Sequence, residues 1–142
     1  MGMIACREGA RLPKKAHLSD AGYDVYLPAD VTLEPGERKK IASGIKLIMP
    51  NGCRAETKIR SSNWLAGLQA EGVIDAGYRG ELYYMIENRN KHSVQLDKHT
   101  RPAQLVFSVV PEIEITLEEN ILDEPTDQTS SRGESGFGSS GS

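Results

Sequence analysis

In four stretches of the chain every second residue alternates with a polar or neutral position, the pattern of half-buried β-strands. The alternating residues are Tyr23, Val25 and Leu27; Ala55, Thr57 and Ile59; Leu82, Tyr84 and Ile86; and Leu105, Phe107 and Val109. Turn-forming residues separate them at 34–37, 50–52, 76–78 and 98–102. Strands spaced by roughly ten residues are typical of sandwiches and barrels. We therefore predict an all-β fold built as one domain.

A further segment, from Ile113 to Leu117, fits two structures. Ile113, Ile115 and Leu117 alternate as in a strand, whereas Ile113, Leu117 and Ile121 would share one face of a helix. Prolines stand on both sides of the segment, and proline disfavours a continuous helix. We therefore predict a strand here.

Composition changes this picture in two ways. Only 38% of the 142 residues are hydrophobic, with two Phe and one Trp, so the core of one chain is small and partner subunits are expected. Two cysteines without a CxxC spacing do not favour a disulfide scaffold or a zinc site, and a cytoplasmic location is expected. The sequence has neither an apolar run of membrane-spanning length nor a secretory signal pattern, so we predict no membrane association.

Charge divides the chain unevenly. Residues 111–131 carry seven acids and no Lys or Arg, which leaves 17 bases against 13 acids elsewhere. This body is basic enough to attract a small polyanion but too weakly basic to indicate nucleic-acid binding. The last thirteen residues contain six Ser and four Gly, together with Arg132 and Phe137. We predict a β-domain over 1–127 and a flexible lid over 128–142.

Several common sites are missing from the sequence. It contains no P-loop, no HExxH and no GxSxG, and its three histidines are scattered. Three stretches carry polar residues that a bare β-fold does not require: SDAGYDVY at 19–26, IRSSNW at 59–64 and GVIDAGYRG at 72–80. Each alone can be read as an ordinary turn or loop.

Together with RPAQLVF at 101–107 and RGESGFGSSG at 132–141, these stretches resemble the five ordered motifs of the trimeric dUTPases. The resemblance implies a β jelly roll that assembles as a homotrimer with C-terminal arm exchange. It also implies hydrolysis of dUTP to dUMP and pyrophosphate at sites between subunits, closed by the C-terminal tail. This activity keeps uracil out of DNA and supplies dUMP for thymidylate synthesis.

By the same resemblance, Asp75 is the catalytic base that activates a water for attack on the α-phosphorus. Asp24 would steady a water on a Mg²⁺ ion that the triphosphate itself mainly binds. The implied substrate-binding residues are Arg60, Ser61, Ser62, Gln69, Val73, Ile74, Asp75, Tyr78, Tyr83, Gln104, Arg132, Phe137, Gly138 and Ser139.

These residues divide by the part of the nucleotide they would contact. Arg60, Ser61, Ser62 and Gln104 would bind phosphate oxygens, and Arg132 would reach the γ-phosphate.

The remaining contacts concern the nucleoside. The backbone of 73–75 and the strand near Tyr83 would read the base edge, and Tyr78 would pack on the deoxyribose. Phe137 would stack on the uracil, and Gln69 stands where many members have an Asn near the base.

The chain departs from the family pattern at three places. Asn63 and Trp64 follow the serines where Leu-Ala is usual, and Ser135 replaces a Gly in the fifth motif. The fourth motif reads His-Thr-Arg-Pro-Ala-Gln at 99–104 instead of Gly-Asp-Arg-Ile-Ala-Gln.

Two other functions are possible for this fold. A dCTP deaminase needs a catalytic Glu where this chain has Met85. A regulatory protein that binds a protein partner is the second alternative, and Trp64 would be a candidate anchor for it.

Overall fold

The computed structural model describes residues 1–118, which form nine strands and one short helix. The strands are β1 Gly2–Ala5, β2 Gly22–Val25, β3 Val31–Leu33, β4 Arg38–Ile48, β5 Cys53–Ile59, β6 Leu68–Asp75, β7 Glu81–Asn88, β8 Val94–Leu96 and β9 Ala103–Val109; the helix is α1 Ser61–Leu65. Seven strands form one curled antiparallel sheet in the order β1-β4-β7-β6-β5-β9-β2, and β3 pairs with β8. The all-β prediction is confirmed, and the four alternating stretches overlap β2, β5, β7 and β9. Leu27 lies just beyond β2, and Val109 at the end of β9 is 79% exposed.

Two long strands were not predicted, for identifiable reasons. In β4 the register shifts between Ala42 and Lys46, so the alternation of buried and exposed positions breaks in its middle. In β6 the inward positions include small residues such as Ala70 and Gly72, which give a weak hydrophobic signal. Helix α1 was also not predicted, since five residues are too few for a helical period to show.

The core lies on the inner face of the curled sheet. Its fully buried side chains include Leu27, Leu33, Ile45, Leu47, Tyr84, Ile86 and Leu105. Burial raises the pKa of the Tyr84 phenol above its ordinary value of 10.0. Tyr84 therefore stays neutral and contributes chiefly as an apolar ring.

The strand predicted at Ile113–Leu117 does not form within the single chain. Residues 111–118 lie in no strand, and Ile115 and Leu117 are 90% and 91% exposed. A strand forms only where a second strand can pair with its backbone, and none is paired with this segment within 1–118. The contacts of the chain separate a unit of 1–112 from one of 113–142. The boundary predicted at 127 lies outside the described residues, as does the proposed lid.

No helix within 1–118 is long and apolar enough to cross a membrane.

A buried amide ties the small sheet to the large one. Asn88, at the end of β7, is fully buried. Its Nδ2 lies within hydrogen-bond distance of the carbonyls of Leu33, Glu34 and His92, at 3.0, 3.2 and 2.8 Å. Its Oδ1 accepts from the backbone N–H of Asn90 at 3.0 Å. This one side chain therefore connects β7 to the loops after β3 and before β8.

We expect Asn88→Ala to destabilise the protein by about 2–4 kcal/mol, because it leaves several buried backbone groups without partners. Urea unfolding of the purified protein measures this loss. The matched control is Asn51→Ala, at an exposed turn, which should change the stability by less than about 0.5 kcal/mol. Equal unfolding midpoints for the two variants would contradict this account of Asn88.

Candidate active site

A carboxylate held by two arginines forms the first part of the site. Asp24 lies in β2, and its Oδ1 is 3.2 Å from Nε of Arg60 while its Oδ2 is 3.1 Å from Nη1 of Arg101. Asp24 pairs with Gln104 of β9, so both side chains lie on the outer face of the sheet. Arg60 directly follows β5, which also pairs with β9 and so brings the guanidinium to the same place. We call Asp24, Arg60, Arg101 and Gln104 the arginine cluster.

A glycine allows Gln104 to lie close to β2. A Cβ atom on Gly22 would stand 2.5 Å from Oε1 of Gln104, so any larger residue would displace that amide. The Gly of the AGYD stretch is therefore needed for the position of Gln104.

Arg101 was not predicted as a site residue, although it begins the fourth motif. Its guanidinium binds Asp24, and its carbonyl accepts from Nη1 of Arg60 at 3.1 Å and from Nδ2 of Asn63 at 3.3 Å. Asn63 also donates to the carbonyl of Pro102 at 3.2 Å. The unusual Asn63 thus anchors α1 to the equally unusual turn before β9.

The turn before β9 contains a backbone conformation that favours glycine. His99 has a φ of 66°, and it occupies the position where the fourth motif usually has Gly. Its N–H donates to the carbonyl of Leu27 at 2.8 Å, and its Nε2 lies 3.0 Å from the carbonyl of Gly9. These two contacts hold the left-handed residue without a glycine.

Helix α1 presents the hydroxyl groups beside this cluster. Ser61 and Ser62 begin the helix and are exposed, as is Trp64 at 57%. Two guanidinium groups, two hydroxyls and an amide against one carboxylate give a donor-rich surface with excess positive charge. Such a surface suits phosphate oxygens.

The second part of the site is a slot between β6 and β7. These strands pair only over Leu68–Ala70 with Ile86–Asn88, and beyond this point β6 pairs with β5 while β7 pairs with β4. The facing edges of 71–75 and 81–85 therefore separate around a cavity of about 180 Å³. It is lined by Thr57, Gly72, Val73, Ile74, Asp75, Tyr78, Leu82, Tyr83 and Met85. Open backbone edges beside apolar side chains can bind a small planar group by its hydrogen-bonding edge.

The turn at the mouth of this slot fixes Tyr78. Its N–H donates to the carbonyl of Asp75 at 3.1 Å, and its hydroxyl donates to the carbonyl of Glu81 at 2.7 Å. A Cβ on Gly80 would lie 2.6 Å from the Tyr78 hydroxyl, so a larger residue there would displace that hydroxyl. Asp75 ends β6 with its side chain exposed at the mouth of the slot.

Glu81 anchors this turn from behind. Nε and Nη2 of Arg7 bind its two carboxylate oxygens at 2.5 and 2.8 Å, and the N–H of Gly44 donates to Oε1 at 2.8 Å. The hydrogen bond from Arg7 holds the pKa of the Glu81 carboxyl below its ordinary value of 4.5. Sequence reasoning missed this pair, because 74 positions separate its partners.

Gln69 does not reach the slot. It pairs with Glu87 at the end of the β6–β7 hairpin far from the turn, and it lines a neighbouring groove of about 400 Å³ together with Lys40. Its buried Oε1 has no hydrogen-bond partner among residues 1–118.

The two parts of the site lie at opposite ends of one strand. Asp75 pairs with Arg54 near the start of β5, whereas Arg60 follows its end. Six residues of strand span about 20 Å, at roughly 3.3 Å per residue. One chain therefore does not bring Asp75 to the arginine cluster. The predicted residues Arg132, Phe137, Gly138 and Ser139 lie outside the described part of the chain.

A donor-rich cluster and a slot for a planar group, carried on one antiparallel sheet, define a class of small β-proteins that bind phosphorylated, base-containing ligands. The sequence profile of the dUTPase family matches residues 8–141. The chain belongs to the dUTPase family.

Individual relatives agree with this assignment. The chain is 36% identical over 140 residues to a deoxyuridine 5′-triphosphate nucleotidohydrolase of Clostridium tetani, covering 95% of this chain and 92% of that one. Its fold is similar to a variant dUTPase of Staphylococcus bacteriophage 80alpha with dUpNHpp, with a TM-score of 0.85, 28% identity, and 99% and 98% of the two chains covered. The fold is also similar to a variant dUTPase of phage phi11 of S. aureus, which is described with a structural Mg(II) ion. The TM-score is 0.79 and the identity 27%, with 83% of this chain and 95% of that one covered.

The Arg7–Glu81 pair predicts a pH-dependent stability. Because the pKa of Glu81 is lowered in the folded protein, its contribution is fully present above pH 4.5 and is lost as the pH falls through the lowered pKa. We expect Arg7→Gln to lower the melting temperature most at neutral pH, with a difference that shrinks below pH 4.5. Thermal unfolding from pH 3 to 7 measures it, with Arg11→Gln, beside Tyr26, as the control. A difference independent of pH would contradict the assignment.

Proposed function

We propose that Asp75 is the general base with which this dUTP diphosphatase hydrolyses dUTP to dUMP and pyrophosphate. The observation that carries this assignment is the position of Asp75, whose carboxylate is exposed at the mouth of the slot, next to Tyr78. A carboxylate placed there can accept a proton from a water molecule beside a nucleotide whose uracil lies in the slot. A positioned carboxylate of this kind contributes about 10²–10⁴-fold to the rate.

The slot binds the uracil and the sugar. The open backbone edges at 73–75 and near Tyr83 offer unpaired N–H and C=O groups to the edge of a pyrimidine, and Ile74 adds apolar surface. Tyr78 is fixed by its hydrogen bond to Glu81, so its ring gives a rigid wall against the deoxyribose. A rigid wall at this point rejects a 2′-hydroxyl, because the ring cannot move away to admit it.

The arginine cluster binds the phosphates. Arg60 and Gln104 present an N–H fork and an amide, and Ser61 and Ser62 add hydroxyls from α1. Arg101 holds Asp24 and Arg60 in place from the turn before β9. Guanidinium donors stabilise the charge that develops on phosphoryl oxygens during the reaction.

The residues of this cluster fit a Mg²⁺ ion bound mainly through the substrate. Residues 1–118 contain no group of three or more metal-ligating side chains, and Asp24 is the one carboxylate of the cluster. Mg²⁺ commonly takes one or two carboxylates together with waters and substrate phosphates. Asp24 would hold the ion through water, and the ion would supply charge neutralisation on the triphosphate.

A shared site accounts for the distance between Asp75 and the arginine cluster. In a homotrimer, Asp75 of one subunit faces the arginine cluster of the next, and the C-terminal residues Arg132, Phe137, Gly138 and Ser139 close over the nucleotide. The exposed apolar positions Ile113, Ile115 and Leu117 are then the arm that pairs with another subunit. Within 1–118, β1 is paired on one edge only, by β4, so an edge is open for such an arm.

The deaminase alternative lacks its acid. Met85, at the position of the glutamate that deamination needs, is 53% exposed and lines the slot with an apolar thioether, which cannot transfer a proton. Release of pyrophosphate, and not of ammonia, is therefore the expected reaction.

We expect Asp75→Asn to lower kcat for dUTP by about 10²–10⁴-fold or more while dUTP still binds, because only the proton acceptor is removed. Pyrophosphate release with dUTP, UTP, dCTP and dTTP measures turnover and specificity, and calorimetry measures binding. Asp97→Asn is the control, since that acid lies in an exposed turn away from the slot. Undiminished turnover by Asp75→Asn would overturn the base assignment.

A site shared between subunits predicts complementation. Asp75→Asn and Arg60→Ala homotrimers should each be nearly inactive. After denaturation and refolding of an equal mixture, about one quarter of the sites combine an intact Asp75 with an intact Arg60 from its neighbour. Pyrophosphate release should therefore recover to about a quarter of the wild-type rate. No recovery in mixed trimers of normal mass would show that both residues act from one chain.

A further inference from the structure

A lysine lies beside Asp24 outside every motif described above. Lys14 forms an isolated bridge with Asp24, in which each N–H donates to the other residue's carbonyl, at 3.0 and 2.8 Å. In an antiparallel pair of this kind the two side chains point to the same face, with Cβ atoms about 5.5 Å apart. Lys14 therefore projects from the outer face on which the arginine cluster lies.

The bridge extends a row of side chains across four neighbouring backbone segments. Lys14 pairs with Asp24, Asp24 with Gln104, and Gln104 with Lys58. Lys58 pairs in turn with Glu71, an acid on the next strand. The two lysines thus flank the Asp24–Gln104 pair, and only Lys14 has no acid beyond it in the row.

The charge of Lys14 is not neutralised by its neighbour. Both carboxylate oxygens of Asp24 are bound by Arg60 and Arg101, and Lys14 forms no ion pair within residues 1–118. Its side chain is exposed at the edge of the cluster. An ammonium on a four-carbon stem moves freely and binds as a compact point charge, which suits a flexible polyphosphate end.

We propose that Lys14 is a further substrate-binding residue that contacts the triphosphate from the edge of the arginine cluster. This proposal rests on the phosphate-binding role proposed above for Arg60. It assigns a function to the segment before SDAGYDVY, which the five motifs leave out.

The neighbouring residue provides a matched control. Lys15 carries the same charge, but its Nζ lies 5.0 Å from the ring centroid of Tyr23, away from Asp24. Tyr23 in turn packs edge-on against Phe107, on the opposite side of the strand from the cluster. Replacing either lysine removes one positive charge from the same loop, so a general effect of net charge would be equal in both variants.

We expect Lys14→Gln to raise KM for dUTP by about threefold to tenfold with little change in kcat, because one charged contact to phosphate is lost. Lys15→Gln should leave both parameters within about twofold of wild type. Lys14→Arg should restore most of the affinity for dUTP. Added pyrophosphate should inhibit Lys14→Gln more weakly than it inhibits Lys15→Gln. Steady-state kinetics at 50 and 200 mM salt measure these effects, and the rise in KM should be smaller at high salt.

An Arg60→Gln variant in the same series separates this inference from the proposed function. If Arg60→Gln raises KM or lowers kcat while Lys14→Gln matches Lys15→Gln, the role of Lys14 is wrong and the phosphate site stands. If neither Arg60→Gln nor Lys14→Gln changes the kinetics, the phosphate-binding role of the whole cluster is wrong. Melting temperatures and trimer mass for each variant exclude misfolding as the cause.

Discussion

The structure depends on how β6 divides its backbone hydrogen bonds between two neighbours. Its first three residues pair with β7, and its last five pair with β5. Because β7 continues along β4, the two strands of the hairpin separate and leave two open edges around a small cavity. Open edges are normally a cost to a sheet, since each unpaired N–H or carbonyl loses a hydrogen bond. Here the open edges line the slot in which we propose that the uracil binds.

The second constraint is the single carboxylate of Asp24, which orders the cations around it. Arg60 and Arg101 come from different loops and would repel each other without it. The turn carrying Arg101 is itself held by His99 and Asn63, two residues that depart from the family pattern. The departures thus preserve the position of the arginines by other contacts. His99 and Asn63 change the contacts that support the arginine cluster, and they leave its arginine side chains in place to face a ligand.

Sequence patterns predicted the all-β class and four of the nine strands within 1–118, for clear physical reasons. Where one face of a strand is buried and the other wet, as at Leu82, Tyr84 and Ile86, the alternation is readable and the prediction succeeded. It failed for β4, where a bulge interrupts the alternation, and at Ile113–Leu117, where an alternating segment has no strand to pair with in the described chain. Alternation reports which side chains can be buried, but it does not report whether a partner strand is present.

For the site, the sequence by itself determined the family, through five ordered motifs, and the candidate residues, Asp75 in VIDAG and Arg60 with two serines. Only the tertiary structure decided that Arg101 completes the cluster and that Arg7 holds Glu81 behind Tyr78. It alone placed Asp75 and Arg60 at opposite ends of β5. The reason is that a motif records residue types over a short stretch of chain, whereas these relations depend on strand register between segments far apart in sequence.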